Sequence, residues 1–159
     1  SVSKSNLDSL LFISVNSYNQ IDRFLRDNNR GSISALMIAG VWIEGQYLAT
    51  QVALNNTDEI LRDRIGEQKI ILGDLLMLLR PYSSNSDDYR TLYGMMEEIS
   101  SLYSGVKVSY RLGEPETREE DGRLVMVQHE ESIVEMSDAQ LAQIAEKSKE
   151  VRNKLISGN

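Results

Sequence analysis

The stretch ALMIAGVWIEGQYLATQ (residues 35–51) opens with nine residues, Ala35 to Ile43, that carry no charge and no strongly hydrogen-bonding side chain, and then meets Glu44. Extended to Ile33–Leu54, the segment is long enough to span a bilayer, which takes about 20 mostly apolar residues. Glu44, Gln46, Thr50 and Gln51 make it a poor lipid span. It reads instead as a buried helix in a helical bundle, starting near Ser32 or Ser34, either of which can cap it, and ending about Leu54.

Helical periodicity continues on both sides. Upstream, Leu7, Leu11, Tyr18, Ile21 and Leu25 recur at three- to four-residue spacing, with Ser14 filling one step, and the turn DNNRGS (27–32) closes the helix. Downstream, NNTDEI (55–60) predicts a break and a new start, with Thr57 as N-cap and Asp58 and Glu59 favourably placed for the helix dipole. The third helix carries Leu61, Ile65, Leu72, Leu75 and Leu79 on one face and should stop at Pro81. Ser86 caps the fourth, whose stripe is Leu92, Met96, Ile99 and Tyr103, closed by Ser104-Gly105. The fifth opens on SDAQ (137–140), a capping box of Ser137 with Gln140, and turns Leu141, Ile144, Val151 and Leu155 inward.

Between the fourth and fifth helices the period changes to two. VKVSYRL (106–112) alternates Val106, Val108, Tyr110 and Leu112 with Lys107, Ser109 and Arg111, a strand pattern, and LVMVQ (124–128) is a candidate antiparallel mate. GEPETREEDGR (113–123) between them is charge-rich, so an exposed, mobile loop is expected. It reads as a solvated hairpin tip, because its acids lack the alternating ligand pattern of a calcium loop. The architecture predicted is mainly α: an up-and-down bundle of about five helices with a small β-hairpin between the fourth and fifth, in one domain over residues 1–159 with the hairpin insertion at about 106–128. A helical-repeat array is the alternative, weakened by the lack of a fixed period.

If the second and third helices form an antiparallel hairpin about Asn56, positions summing to roughly 112 face each other. Glu44 then stands level with Gln68 and Lys69, and Tyr47 lies one turn along. An unpaired buried carboxylate costs several kcal/mol, so a hydrogen-bonded cluster of Glu44 with Gln68 or Lys69, including Tyr47 and Gln51 at its edge, is expected. Its plain role is a polar clip that fixes helix register, and its functional role a ligand pocket.

Composition narrows the function classes. A net charge of −7 argues against a nucleic-acid partner and against adsorption to anionic lipid. The absence of cysteine excludes disulfides, thiolate metal sites and cysteine nucleophiles. His129 is the single histidine; without a second it is a poor metal ligand, and no GxSxG elbow accompanies it. IAGVWIEG lacks the glycine spacing and lysine of a phosphate loop. Tyr82, Tyr89, Tyr93, Tyr103 and Tyr110 read mostly as half-buried packing residues, though tyrosines clustered at one end would suit an interface. No cofactor and no metal site are expected.

Taken together, SALMIAGVWIEGQYLATQ, RIGEQKIILGDLLMLLRPY and SDAQLAQIAEKSKEVRNKLI resemble the C-terminal half of a family of helical proteins from Bacteroidetes-type bacteria, over residues 14 to 156. The family more often has a second glycine where this chain has Val41. Its members look like lipoproteins with a lipid-attachment cysteine behind a signal peptide, and it has no assigned activity. The resemblance implies part of a longer precursor in the cell envelope or periplasm, with a membrane link only through an anchor outside this chain; a cytoplasmic location stays open. The function expected is a non-enzymatic domain that binds a partner protein or small ligand. An enzyme using buried carboxylates such as Glu44 and Glu67, a hydrolase or transferase, and a purely structural scaffold are the alternatives.

Overall fold

The computed structural model describes residues 2–120, 123–128 and 130–158. Among the described residues the fold is mainly α, with five helices: α1 (Val2–Asp27), α2 (Gly31–Leu54), α3 (Glu59–Ser83), α4 (Asp87–Leu102) and α5 (Asp138–Ser157). A single 3₁₀ turn, Tyr103–Gly105, follows α4, and four strands separate it from α5: β1 (Lys107–Leu112), β2 (Glu116–Glu120), β3 (Arg123–Val127) and β4 (Glu130–Glu135). Among the described residues no helix is long and apolar enough to cross a membrane.

The chain divides into two compact units, Ser1–Trp42 and Ile43–Asn159, with α2 running through the boundary. In the first unit, α1 ends in a Schellman turn. Asn29 takes the left-handed conformation (φ 58°), the Arg30 amide donates to the Leu25 carbonyl and the Asn29 amide donates to that of Arg26. Asparagine tolerates this conformation better than most residues, which is why DNNRG can end a helix before its glycine. Val15, Tyr18, Asn19 and Asp22 of α1 line one shallow groove with Met37, Ile38 and Val41 of α2, and the Ser34 hydroxyl donates to the Asp22 carboxylate. Of the five-residue stripe expected to pack, Leu25 is buried, whereas Leu7, Leu11, Tyr18 and Ile21 remain exposed.

In the second unit the expected stripes pack closely. Ile65, Leu72, Leu75 and Leu79 of α3, and Leu92, Met96 and Ile99 of α4 with Tyr103 beyond it, are buried. Ala53, Ile65 and Leu141 form a cluster joining α2, α3 and α5, with Ala49, Leu61 and Met136 against it. On α5, Leu141, Ile144 and Val151 are buried, but Leu155 is exposed near the helix end.

Several boundaries differ from expectation. α2 begins at Gly31, ahead of both candidate serines, and the Arg30 carbonyl accepts from the Ile33 and Ser34 amides. The N-cap of α3 is Asp58, one residue past Thr57, its carboxylate accepting from the Ile60 and Leu61 amides. Ser86 does occupy the N-cap of α4, without a side-chain cap bond. Pro81 does not stop α3: it lies in the last turn, where its fixed φ suits the helix and only one backbone bond is lost. The capping box of Ser137 and Gln140 forms as the sequence indicates.

The strand pairing is the larger correction. β1 pairs with β4, not with residues 124–128, and β3 pairs with β2 inside the segment expected to be a loop. The reason is charge register. Lys107 and Arg111 of β1 stand directly opposite Glu135 and Glu131 of β4, and both pairs close as ion pairs, at 2.8 Å and 2.7 Å. No register of β1 on LVMVQ sets both cations opposite acids, because residues 124–128 contain none. The two antiparallel ladders are nested, so the insertion is a long interrupted hairpin.

Candidate functional site

The inward face of the second half of α2 runs through Ile43, Gln46, Thr50 and Ala53, all buried. At 3.6 residues per turn, Glu44, Tyr47 and Gln51 fall on the adjacent strip, and all three are half-buried there. Gln46, two residues from Glu44, is therefore the side chain that enters the core.

Its amide donates to the Tyr103 hydroxyl at 2.6 Å, and that hydroxyl donates to the Ile65 carbonyl at 2.9 Å. One phenol thus ties α2 and α3 to the turn after α4. Burial pushes the Tyr103 phenol well above its ordinary pKa, so it remains a donor. Thr50 is buried beside it and donates to the Gln46 and Tyr47 carbonyls, satisfying its own hydroxyl within α2.

Glu44 is turned away from α3 and meets α5. Arg152 Nε donates to Glu44 Oε2 at 2.6 Å and Arg152 Nη2 to Oε1 at 3.1 Å, while the guanidinium lies 4.5 Å from the centroid of the Tyr47 ring. The bidentate bond from Arg152 holds the Glu44 carboxyl below the usual carboxylate range.

The cluster anticipated around Glu44 therefore does not form as such. Tyr47 joins Glu44 through the Arg152 guanidinium, whereas Lys69 is drawn to the hairpin. Gln68 donates to the Arg64 carbonyl, and Lys69 Nζ donates at 2.6 Å to the Val106 carbonyl, fastening α3 to the start of the hairpin. The Gln51 carbonyl accepts from Asn55. The polar clip between α2 and α3 exists, but Gln46 and Tyr103 make it. Arg152 had no signal in a pairing scheme confined to α2 and α3; its place beside the buried Val151 is the only hint of it.

The second carboxylate, Glu67, faces the hairpin. Burial pushes its carboxyl up, but a hydrogen bond from Ser132 and the Arg64 guanidinium, at 2.7 Å and 2.9 Å, outweigh this and leave it lowered. One residue earlier, Gly66 is buried under β4: a Cβ there would overlap Val134 Cγ1. A glycine is needed for the strand to approach the helix this closely.

Two surface grooves flank these contacts. One, of about 640 Å³, lies between the α2–α3 loop and the start of α5, where Arg62 bonds the Met136 carbonyl and pairs with Asp138 at 2.7 Å. The other, of about 780 Å³, lies between α3 and the hairpin and includes Glu67, Ile71, Tyr110 and Ser132. Glu44 lines neither. Among the tyrosines, Tyr82 and Tyr89 pack ring to ring at 5.8 Å; they and Tyr93 are half-buried, while Tyr110 is exposed. His129 lies outside the described residues. Comparison with protein-family models, curated proteins and solved structures finds no match.

Proposed function

We propose that the chain is a non-enzymatic helical domain of the cell envelope that binds a partner protein through α1. The observation that carries this reading is the surface of α1, on which Leu7, Leu10, Leu11, Phe12, Ile13, Val15 and Phe24 are all exposed. A run of large apolar side chains along a single helix is an interaction surface or an aggregation hazard, and binding is what keeps such a surface covered. The envelope location, with a lipid anchor outside this chain, rests on the family resemblance alone.

The carboxylates considered for catalysis lend the enzyme reading no support. Glu44 and Glu67 are each paired with an arginine and each lowered in pKa. A general acid near neutral pH needs the opposite shift. Both serve as clips between elements.

Site-specific photo-crosslinking in cells tests the reading. A photoreactive residue replacing Leu10, Phe12 or Ile13 should form protein adducts, whereas the same residue replacing Lys149 on α5 should not. Equal adduct yields at all four positions, or none at any, would overturn the assignment of α1 as the binding face.

A further inference from the structure

The binding face of α1 carries a pattern that reads the same in both directions. Leu7, Leu10, Ser14, Ser17, Ile21 and Phe24 fall at alternating spacings of three and four, the seam of a helix pair, and all six are exposed. The seam lies about a quarter turn from Val15, Tyr18 and Asp22, which face α2, so the contacts within this unit leave it open. Reversing the helix about the midpoint between Ser14 and Ser17 places Leu7 on Phe24, Leu10 on Ile21 and Ser14 on Ser17. A two-fold axis crossing a helix requires this self-complementarity.

Resting on the reading of α1 as a binding face, we infer that its partner is a second copy of this chain, bound through an antiparallel α1–α1 contact. The two serines sit at the crossing point, where small side chains allow close helix approach. Ser17 already donates to the Ile13 carbonyl at 2.8 Å, so covering it strands no hydroxyl. Residues 9–21 contain no charge, so no ion is desolvated along the central turns. Flanking the seam, Leu11 would meet Tyr18 of the second copy, and Ile13 would meet Gln20. At their present exposure Leu7, Leu10, Ile13, Ile21 and Phe24 offer roughly 500 Å² per protomer, and the flanking residues bring this toward the ~800 Å² per partner of a stable interface.

Sedimentation equilibrium on the full chain, with far-UV circular dichroism to confirm helix content, tests this by charge exchange. The unmodified chain at tens of micromolar should sediment at twice its monomer mass. Leu10→Glu alone, and Ile21→Lys alone, should each sediment as monomer. The double variant Leu10→Glu/Ile21→Lys should recover the dimer, because antiparallel pairing sets the two new charges opposite each other. Leu7→Lys with Phe24→Glu tests the same register at the helix ends. A monomeric unmodified chain, or double variants that stay monomeric, would overturn the antiparallel dimer. If the crosslinking adducts then carry a different protein, the reading of α1 as a binding face stands and only its partner changes.

Discussion

Arg152 closes both oxygens of Glu44 from α5 while its guanidinium covers the Tyr47 ring, so a single side chain joins the last helix to α2 twice. The pair is open to solvent: Glu44 is 45% exposed and Arg152 27%. Its contribution should therefore be modest and sensitive to salt. Arg152→Lys keeps the charge but loses the fork and the stacking, and should lower Tm almost as much as Arg152→Ala. Equal Tm for the lysine variant and the unmodified chain would mean that charge alone matters.

The same pair fixes a pH dependence. The carboxyl of Glu44 is lowered in the folded state from its ordinary value of 4.5, so its contribution is present above that value and is lost as pH falls through the lower folded pKa. Glu44→Gln should therefore be less stable than the unmodified chain at pH 7, with the gap narrowing as pH falls below 4.5. Chemical denaturation at pH 3 and pH 7 measures it. A gap unchanged at pH 3 would place the loss in packing.

The buried bridge should be worth more than this exposed pair. Tyr103→Phe removes the hydroxyl that Gln46 donates to and that itself bonds the Ile65 carbonyl, leaving a buried amide group without its partner. The expected loss is about 1–3 kcal/mol in urea denaturation. Gln46→Leu in the Tyr103→Phe background should cost less than in the unmodified chain, since the orphaned amide is gone. Additive losses would show that the two side chains act independently.

The contrast between these sites explains what the sequence made legible. Stripes on α3 and α4 follow from the helical period, because burial selects apolar side chains over many turns and averages out single exceptions. The capping box at Ser137 is local, so it too is legible. The partner of Glu44 is not, because it depends on which way a side chain on the margin of a buried face turns, and Arg152 lies 108 residues away. The strand partner of β1 is not legible from apolar alternation, which LVMVQ satisfies as well; the acids that stand opposite Lys107 and Arg111 lie in β4. On α1, the periodicity was real but the inference of burial was not: four of five stripe residues are exposed.

Ser148 offers a simple check on core polarity. It is buried, and among the described residues its hydroxyl is the buried side-chain group without a hydrogen-bond partner. Ser148→Ala removes that unsatisfied group with almost no change of volume, and alanine is the better helix former. The variant should gain on the order of 1 kcal/mol in chemical denaturation. A loss of stability would reveal a bond the hydroxyl makes in solution.

The seating of the hairpin on α3 depends on Gly66. Any Cβ at that position overlaps Val134 Cγ1, and neither a buried helix nor a β-branched valine can swing aside cheaply. Gly66→Ala should therefore cost about 1–3 kcal/mol despite the higher helix propensity of alanine, which by itself would favour the variant by roughly 1 kcal/mol. Val134→Ala removes the opposing methyl groups and carries its own smaller cost. In a double-mutant cycle the two should be markedly less damaging together than the sum of their separate effects, because the second alanine opens the space the first needs. Neighbouring contacts supply an independent readout: displacement of β4 from α3 would take away both the Ser132 hydrogen bond and part of the burial at Glu67, so the Glu67 titration should shift in Gly66→Ala and return in the double variant. A stabilised Gly66→Ala variant with an unchanged Glu67 titration would show that β4 does not press on α3 at this glycine.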